Sequence, residues 1–324
     1  MPGIHSDSRP EGGGGVTAER VAAIDCGTNS IRLLIADVKD GRLHDLVREM
    51  VITRLGQGVD RTGRLSPDAI ARTVAAAEVY AGQIEAAGVE RVRFVTTSAS
   101  RDAENRDDFL EPTRALMGLD PQVLTGEEEA RLSFLGAVSA LGQKTSLEPP
   151  YLVVDIGGGS TEFVLGADHV DQACSADMGS VRVTERFGGE PWTGEKQAEA
   201  TEWIDRKLDW VQERVDLAQA RTLVGCAGTV TSMGAFIAGV TEYDPVATHG
   251  LAPSRAEWDR AIRAMVGLSA EDKHALPFMP PGRGDVIGGG ALIWQQILQR
   301  IPGIPAVVSE HDILDGLALS LATH

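Results

Sequence analysis

The chain has 324 residues, of which 43% are hydrophobic and 24% charged, and this is typical of a folded protein large enough for two domains. It carries 47 acidic and 30 basic residues, for a formal charge of −17. Binding to nucleic acid by counterion release needs clustered cations, and the sequence has no Lys/Arg-dense stretch, so we expect no nucleic-acid partner. No apolar run is long enough to span a bilayer, so we expect no membrane partner either.

The N-terminal residues and the cysteines indicate a compartment. Residues 1–18 are polar, contain four consecutive glycines and lack an apolar segment, so they predict a disordered lead-in and not a signal peptide. Cys26, Cys174 and Cys226 are isolated, and their spacing fits neither a metal site nor a disulfide framework. We therefore expect three small buried thiols in a reducing cytoplasm.

The first half of the chain, residues 19–147, is predicted to form one domain. Helix signals bound two segments: Ser66-Pro67-Asp68 begins a helix that ends at Gly88, and a second helix runs from Glu127 to Leu141. Apolar patterning predicts five strands, over 20–25, 31–38, 46–53, 91–97 and 121–125.

The second half repeats this order after a polar stretch that ends in Pro149-Pro150. We place a second domain at 148–311 and expect the final helix, 312–323, to pack back on the first. Strands are predicted over 151–155, 161–166, 172–176, 221–225 and 305–309. Helices are predicted over 195–218, after 229, and over 254–265, 284–300 and 312–322. Two matched halves of strands and helices predict an α/β architecture with a cleft between the domains.

Two glycine turns, one in each half, carry the clearest functional signal. The first is Asp25-Cys26-Gly27-Thr28-Asn29-Ser30, and the second is Asp155-Ile156-Gly157-Gly158-Gly159-Ser160. Each follows an apolar strand and precedes another. Glycine lets the main chain approach a ligand closely, so such turns can surround a phosphate with backbone N–H groups. The adjacent Asp can hold a cation or orient a water.

Carboxylates supply the other candidate chemistry. Asp155 and Glu162 stand on either side of the second turn and could flank one Mg²⁺, with Mn²⁺ as the alternative, since hard oxygen ligands suit these ions. Glu127, Glu128 and Glu129 begin a helix, where a carboxylate could activate a water against a phosphoryl group. Acidic residues are also common at helix starts because they favour the helix dipole, so this pattern alone leaves their role open.

Taken together, the motifs resemble one family, the exopolyphosphatase / guanosine pentaphosphate phosphohydrolase (Ppx/GppA) family, in its short actinobacterial form. The resemblance covers about residues 20 to 320 and is carried by six segments: 25–30, 97–101, 126–131, 155–162, 225–229 and 283–290. It implies the duplicated actin-like fold of sugar kinases, actin and heat-shock ATPases. The chain ends without the C-terminal helical extension of long members, which puts processivity and an extension-built dimer in doubt.

The resemblance also implies roles for individual residues. Glu129 would be the catalytic base, and Asp155 and Glu162 the metal-linked carboxylates. Arg32 and Arg283 would meet guanosine tetraphosphate. The phosphate-binding set would be Asp25, Gly27, Thr28, Asn29, Ser30, Arg101, Gly157, Gly158, Gly159, Ser160, Gly228 and Thr229.

The function predicted on this basis is Mg²⁺-dependent removal of the terminal phosphate of inorganic polyphosphate. Three alternatives stay open: hydrolysis of guanosine pentaphosphate to the tetraphosphate, a weakly active protein that binds the alarmone or polyphosphate, and a sugar kinase on the same scaffold. A homodimer is a further open expectation.

Overall fold

The computed structural model describes residues 18–141, 147–189 and 191–322, and it contains two five-stranded sheets. In the first sheet, β1 pairs antiparallel with β2 and parallel with β4, which gives the order β3-β2-β1-β4-β5. Its strands are β1 Glu19–Cys26, β2 Ser30–Lys39, β3 Arg42–Ile52, β4 Arg91–Thr96 and β5 Gln122–Val123.

The second sheet repeats this topology. Its strands are β6 Tyr151–Ile156, β7 Thr161–Gly166, β8 Val170–Ala176, β9 Thr222–Cys226 and β10 Ala306–Val308. The order is β8-β7-β6-β9-β10, and β6 again pairs antiparallel with its hairpin partner and parallel with the fourth strand. The duplicated actin-like architecture expected from the sequence is therefore present.

Helices cover both sheets. Within the described ranges they are α1 Val59–Thr62, α2 Pro67–Ala86, α3 Ser98–Asp102, α4 Asp107–Met117, α5 Gly126–Leu141, α6 Ser180–Arg186, α7 Gly194–Gln212, α8 Ala227–Ala238, α9 Pro245–Thr248, α10 Arg255–Gly267, α11 Ala270–His274, α12 Ile287–Arg300 and α13 Ile313–Ala322. Across the part of the chain that the structure describes, none of them combines the length and apolarity needed to cross a bilayer.

Side-chain caps mark where two of the predicted helices begin. Ser66 caps α2 by accepting from the N–H of Ala69, with Pro67 as the first helical residue. Ser254 forms a reciprocal capping box with Glu257 at the start of α10. These caps use only neighbours in sequence, so pattern alone could locate them.

Helix ends and short elements were predicted less well. The helix expected over 195–218 ends at Gln212, because the chain turns there to bury Val215 and Leu217. The strand expected over 121–125 has only two ladder residues, 122 and 123. Six helices of the described ranges were not predicted: α1, α3, α4, α6, α9 and α11. The expected lead-in at 1–18 lies outside the described residues, apart from residue 18.

The helices α5 and α13 cross between the two halves. Phe134 and Ala137 of α5 pack in one cluster with Val153 and Val164 of the second sheet. Leu314 and Leu317 of α13 instead pack with strands of the first sheet. Helix α5 therefore supplies part of the core of the second sheet, while its Leu132 packs against the cluster of the first sheet.

The contact between these two helices depends on glycine. A Cβ at Gly136 of α5 would collide with the backbone of Asp312, and a Cβ at Gly316 of α13 would collide with the Leu132 carbonyl. The two helix backbones therefore touch directly where the halves of the molecule join.

We expect Gly136→Ala to lower the free energy of unfolding by at least about 1–3 kcal/mol, the usual cost of overpacking, because the obstacle is backbone and cannot rotate away. The matched control is Gly82→Ala in α2, where a Cβ meets nothing within 4 Å. That change should stabilise the protein by about 0.5–1 kcal/mol, since alanine is the better helix former. Urea unfolding measures both values, and equal effects would contradict the assigned contact.

Candidate active site

The two glycine turns lie against each other. Each is closed by the same hydrogen bond, from Gly27 N–H to the Ser30 carbonyl at 2.9 Å and from Gly157 N–H to the Ser160 carbonyl at 3.0 Å. A Cβ at Gly158 would lie 2.9 Å from the Cβ of Thr28, so any larger residue would push the turns apart. The turns therefore form facing walls of one cleft.

Helix α6 sets the direction of the peptide groups in the second turn. The carbonyl of Gly157 accepts from the N–H of Ser180 at 2.9 Å, and the carbonyl of Gly158 accepts from the N–H of Val181 at 2.9 Å. In a planar trans peptide the N–H points opposite to the carbonyl. The next N–H groups, those of Gly158 and Gly159, are thus directed away from α6, as phosphate binding requires.

A cavity of about 100 Å³ occupies the cleft and collects most of the predicted site residues. Those that line it are Asp25, Gly27, Thr28, Asn29, Ser30, Arg32, Glu129, Asp155, Gly157, Gly158, Ser160, Gly228, Thr229 and Arg283. Three predicted residues, Arg101, Gly159 and Glu162, are not part of this lining. The structure thus gathers residues from both halves around one small polar space.

Glu129 lies in the first turn of α5 and faces the cavity. Its Oε2 accepts a hydrogen bond from Arg101 Nη1 at 3.1 Å, and the same nitrogen donates to the Leu124 carbonyl at 3.0 Å. Burial raises the pKa of Glu129 to about 7, against the opposing charge of Arg101. A carboxylate of this kind can accept a proton near neutral pH.

Asp155 and Glu162 stand opposite each other across the β6–β7 hairpin. Asp155 accepts from the Ser133 hydroxyl at 2.7 Å, and burial raises its pKa to about 7. Glu162 accepts from the Ser175 hydroxyl at 2.7 Å, and its pKa is raised well above the usual value by burial and by the charges of Glu129 and Asp155. Three buried carboxylates at close quarters favour an added positive charge.

Asp25, another buried carboxylate of the cavity, also suits a bound cation. Its Oδ2 accepts from Arg32 Nη2 at 2.5 Å, whereas its buried Oδ1 has no hydrogen-bond partner. A buried carboxylate oxygen facing a polar cavity is a fitting ligand for a hard cation such as Mg²⁺. Within the described ranges, however, no three His, Cys, Asp or Glu side chains are grouped so as to enclose a metal. A metal here would keep waters or phosphate oxygens as further ligands.

Arg32 and Arg283, predicted from the resemblance to meet the alarmone, differ in their surroundings. Arg32 donates to both Asp25 and Asp312, so its charge is balanced by two carboxylates. Arg283 donates to the Ser232 hydroxyl at 3.4 Å and contacts the Met50 sulfur at 3.1 Å, which are neutral partners. Burial lowers the pKa of Arg283. Arg283 is thus a buried cation at the cleft that bonds to neutral atoms, with the charges of Glu310 and Asp312 acting on it from further away, and such a cation suits an anionic ligand.

Sequence reasoning missed Asp312, Ser133 and Ser175, which hold Arg32, Asp155 and Glu162 in place. Asp312 lies 280 positions from Arg32 and Ser133 lies 22 from Asp155, whereas Ser175 lies on β8, directly opposite Glu162 in the neighbouring strand. None of the three belongs to a glycine turn. Pattern alone carries no signal for them, because only the folded structure brings these pairs together.

Comparison with known proteins agrees with this geometry. The model of the Ppx/GppA phosphatase family matches residues 34–323. Exopolyphosphatase 2 of Mycobacterium tuberculosis is 48% identical over 317 residues, covering 94% of this chain and 98% of the relative.

Solved structures give the same result. An exopolyphosphatase-like protein superimposes with a TM-score of 0.89 at 40% identity, covering 94% of this chain and 97% of the other. The Aquifex aeolicus PPX-GPPA enzyme superimposes with a TM-score of 0.78 at 33% identity, covering 94% and 100%. The chain therefore belongs to the Ppx/GppA phosphatase family.

Proposed function

We propose that the protein is an exopolyphosphatase, which removes the terminal phosphate of inorganic polyphosphate by attack of a water. The observation that carries the proposal is that Glu129, a buried carboxylate with a pKa of about 7, faces the same small cavity as both glycine turns. The similarity to a relative named Exopolyphosphatase 2 over nearly the full length supports the substrate. We propose the cytoplasm as its compartment, supported by three buried free cysteines.

In the proposed reaction the terminal phosphoryl group lies between the two turns, with its oxygens on the backbone N–H groups. Glu129 accepts a proton from the water while the water oxygen bonds to phosphorus. The bond to the bridging oxygen breaks, and the products are orthophosphate and a chain one unit shorter. Arg101 holds the Glu129 carboxylate in position through its hydrogen bond.

We propose Mg²⁺ as the cofactor, held by Asp155 and by the unpartnered Oδ1 of Asp25. When bound, the ion would neutralise charge on the phosphate oxygens. Glu162 stands opposite Asp155 in the strand pair and is not part of the cavity lining, and its hydrogen bond to Ser175 suits a role in holding Asp155 and the strand pair.

Glu129→Gln should lower phosphate release from polyphosphate by about 10²–10⁴-fold, the usual effect of removing a general base, while polyphosphate binding persists. Turnover is measured by orthophosphate release and binding by calorimetry. The matched control is Glu127→Gln, two residues away on the same helix, whose side chain is 67% exposed and pairs with Arg131. Near-normal turnover in Glu129→Gln would contradict the assignment.

The pH profile should follow the ionisation of the base. Glu129 must be ionised to accept a proton, so kcat/KM should rise with pH up to about 7 and then level off. The positive charge of Arg101 lowers the pKa of Glu129, so Arg101→Gln should move the rising limb to higher pH. Profiles at one fixed Mg²⁺ concentration measure both. If the rising part of the kcat/KM profile stays at the same pH in Arg101→Gln, a group other than Glu129 sets that pH.

A second candidate substrate, guanosine pentaphosphate, is favoured by a separate observation. A larger cavity of about 620 Å³ adjoins the cleft and shares Arg32, Gly228 and Arg283 with it. This volume lies within the range of small-molecule pockets. Its walls include apolar and aromatic side chains suited to a planar base: Met50, Tyr243, Pro245, Val246 and Leu314. A long inorganic chain would gain little from such walls.

Val246→Trp separates the two substrates. Val246 is 77% exposed at the edge of the larger cavity, so a tryptophan there would fill space without disturbing the core. If a nucleoside occupies this cavity, KM for guanosine pentaphosphate should rise about tenfold or more, the effect of losing roughly 1.4 kcal/mol of binding, while polyphosphate turnover stays unchanged. Parallel phosphate-release assays measure both. Equal effects on the two substrates would rule out this use of the cavity.

A further inference from the structure

Arg182 on α6 joins three separate parts of the cleft. Its Nε donates to the carbonyl of Gly159 in the second turn at 2.8 Å. Its two terminal nitrogens donate to Asp60 at 2.5 Å and to Asp102 at 2.6 Å. Asp60 and Asp102 lie on α1 and α3 of the first half of the molecule, so one guanidinium spans the two halves.

The contact to Gly159 completes the support of the second turn. The carbonyls of Gly157 and Gly158 already accept from backbone N–H groups of α6, and Arg182 takes the third carbonyl in the row. The N–H in the same peptide plane as the Gly159 carbonyl belongs to Ser160, which lines the cavity. Arg182 therefore sets the direction of this N–H group.

The contacts to Asp60 and Asp102 cross from the second half of the molecule to the first. Asp102 directly follows Arg101, which holds Glu129, so the proposed base and the second turn are connected through Arg182. The side chain of Arg182 is only 15% exposed, so its charge is largely removed from water. One helical turn further along α6, Glu185 accepts from the N–H of Gly58 at 3.0 Å, which is another hydrogen bond between the two halves.

We propose that Arg182 is a positioning residue of the cleft: it orients the second glycine turn and fixes the distance between that turn and the first half of the molecule, whose Arg101 holds Glu129. A planar guanidinium is suited to this task, because its donors leave in fixed directions and can meet a carbonyl and two carboxylates at once. Lysine, a single flexible ammonium, cannot reproduce the arrangement. The proposal rests on the proposed function only where phosphate release is the measurement.

Arg182→Ala should lower kcat/KM for a polyphosphate of defined length by about 10²-fold, as expected when reacting groups are misplaced by about 1 Å. Arg182→Lys should recover only part of this loss. The matched control is Arg300→Ala. Arg300 also donates to two aspartates, Asp205 and Asp209, and to one carbonyl, but all three lie on α7. That variant should keep kcat/KM within about twofold of the unaltered protein, since it lies away from the cleft.

A distance measurement separates positioning from catalysis. Spin labels at Glu111→Cys and Glu199→Cys, both exposed and one on each half, report the spacing between the halves without turnover. The native cysteines are buried and should label poorly. The distance distribution should broaden in Arg182→Ala and in the double variant Asp60→Asn with Asp102→Asn, but not in Arg300→Ala.

The outcomes are distinguishable. If Arg182→Ala matches Arg300→Ala in both kcat/KM and label distance, the proposal is overturned. If the unaltered protein releases no phosphate from polyphosphate, the proposed function fails, and the label distances still decide the role of Arg182. If Arg182→Ala does not fold, the double aspartate variant decides the spacing, since it leaves the bond to Gly159 in place.

Discussion

The close approach of two glycine turns is the constraint on which the rest of the molecule depends. Gly158 lies against Thr28, and a Cβ at Gly159 would stand 2.8 Å from the Thr28 hydroxyl. Backbones can come this near only where side chains are missing. The contact between the two turns brings together, at one cleft, functional groups that belong to separate sheets.

Burying carboxylates close to one another costs electrostatic free energy. Glu129, Asp155 and Glu162 are buried near one another, and burial raises the pKa of each. The protein offsets part of that cost with Arg101 and with the hydroxyls of Ser133 and Ser175. A site with excess negative charge and carboxyl groups of raised pKa suits a reaction that uses a cation and a proton acceptor near neutral pH.

The crossing of α5 and α13 holds two residues of the cleft in place. Glu129 begins α5, and Asp312, which holds Arg32, directly precedes α13. Because the two helix backbones touch at Gly136 and Gly316, Glu129 and Arg32 are fixed relative to each other. On the opposite side of the cleft, Arg182 joins the two halves of the molecule through ion pairs instead of helix packing.

The sequence by itself determined the duplicated α/β plan, the two turns and the carboxylates that face the cavity, because these depend on neighbours along the chain. Glycine spacing, caps such as Ser66 and apolar periodicity are all local. Only the tertiary structure decided that α5 covers the second sheet, that Glu162 and Arg101 are not part of the cavity lining, and that Asp312 and Arg182 hold the site together. Two of those contacts join residues 80 and 280 positions apart, Arg182 with Asp102 and Arg32 with Asp312, and no local pattern records such pairs.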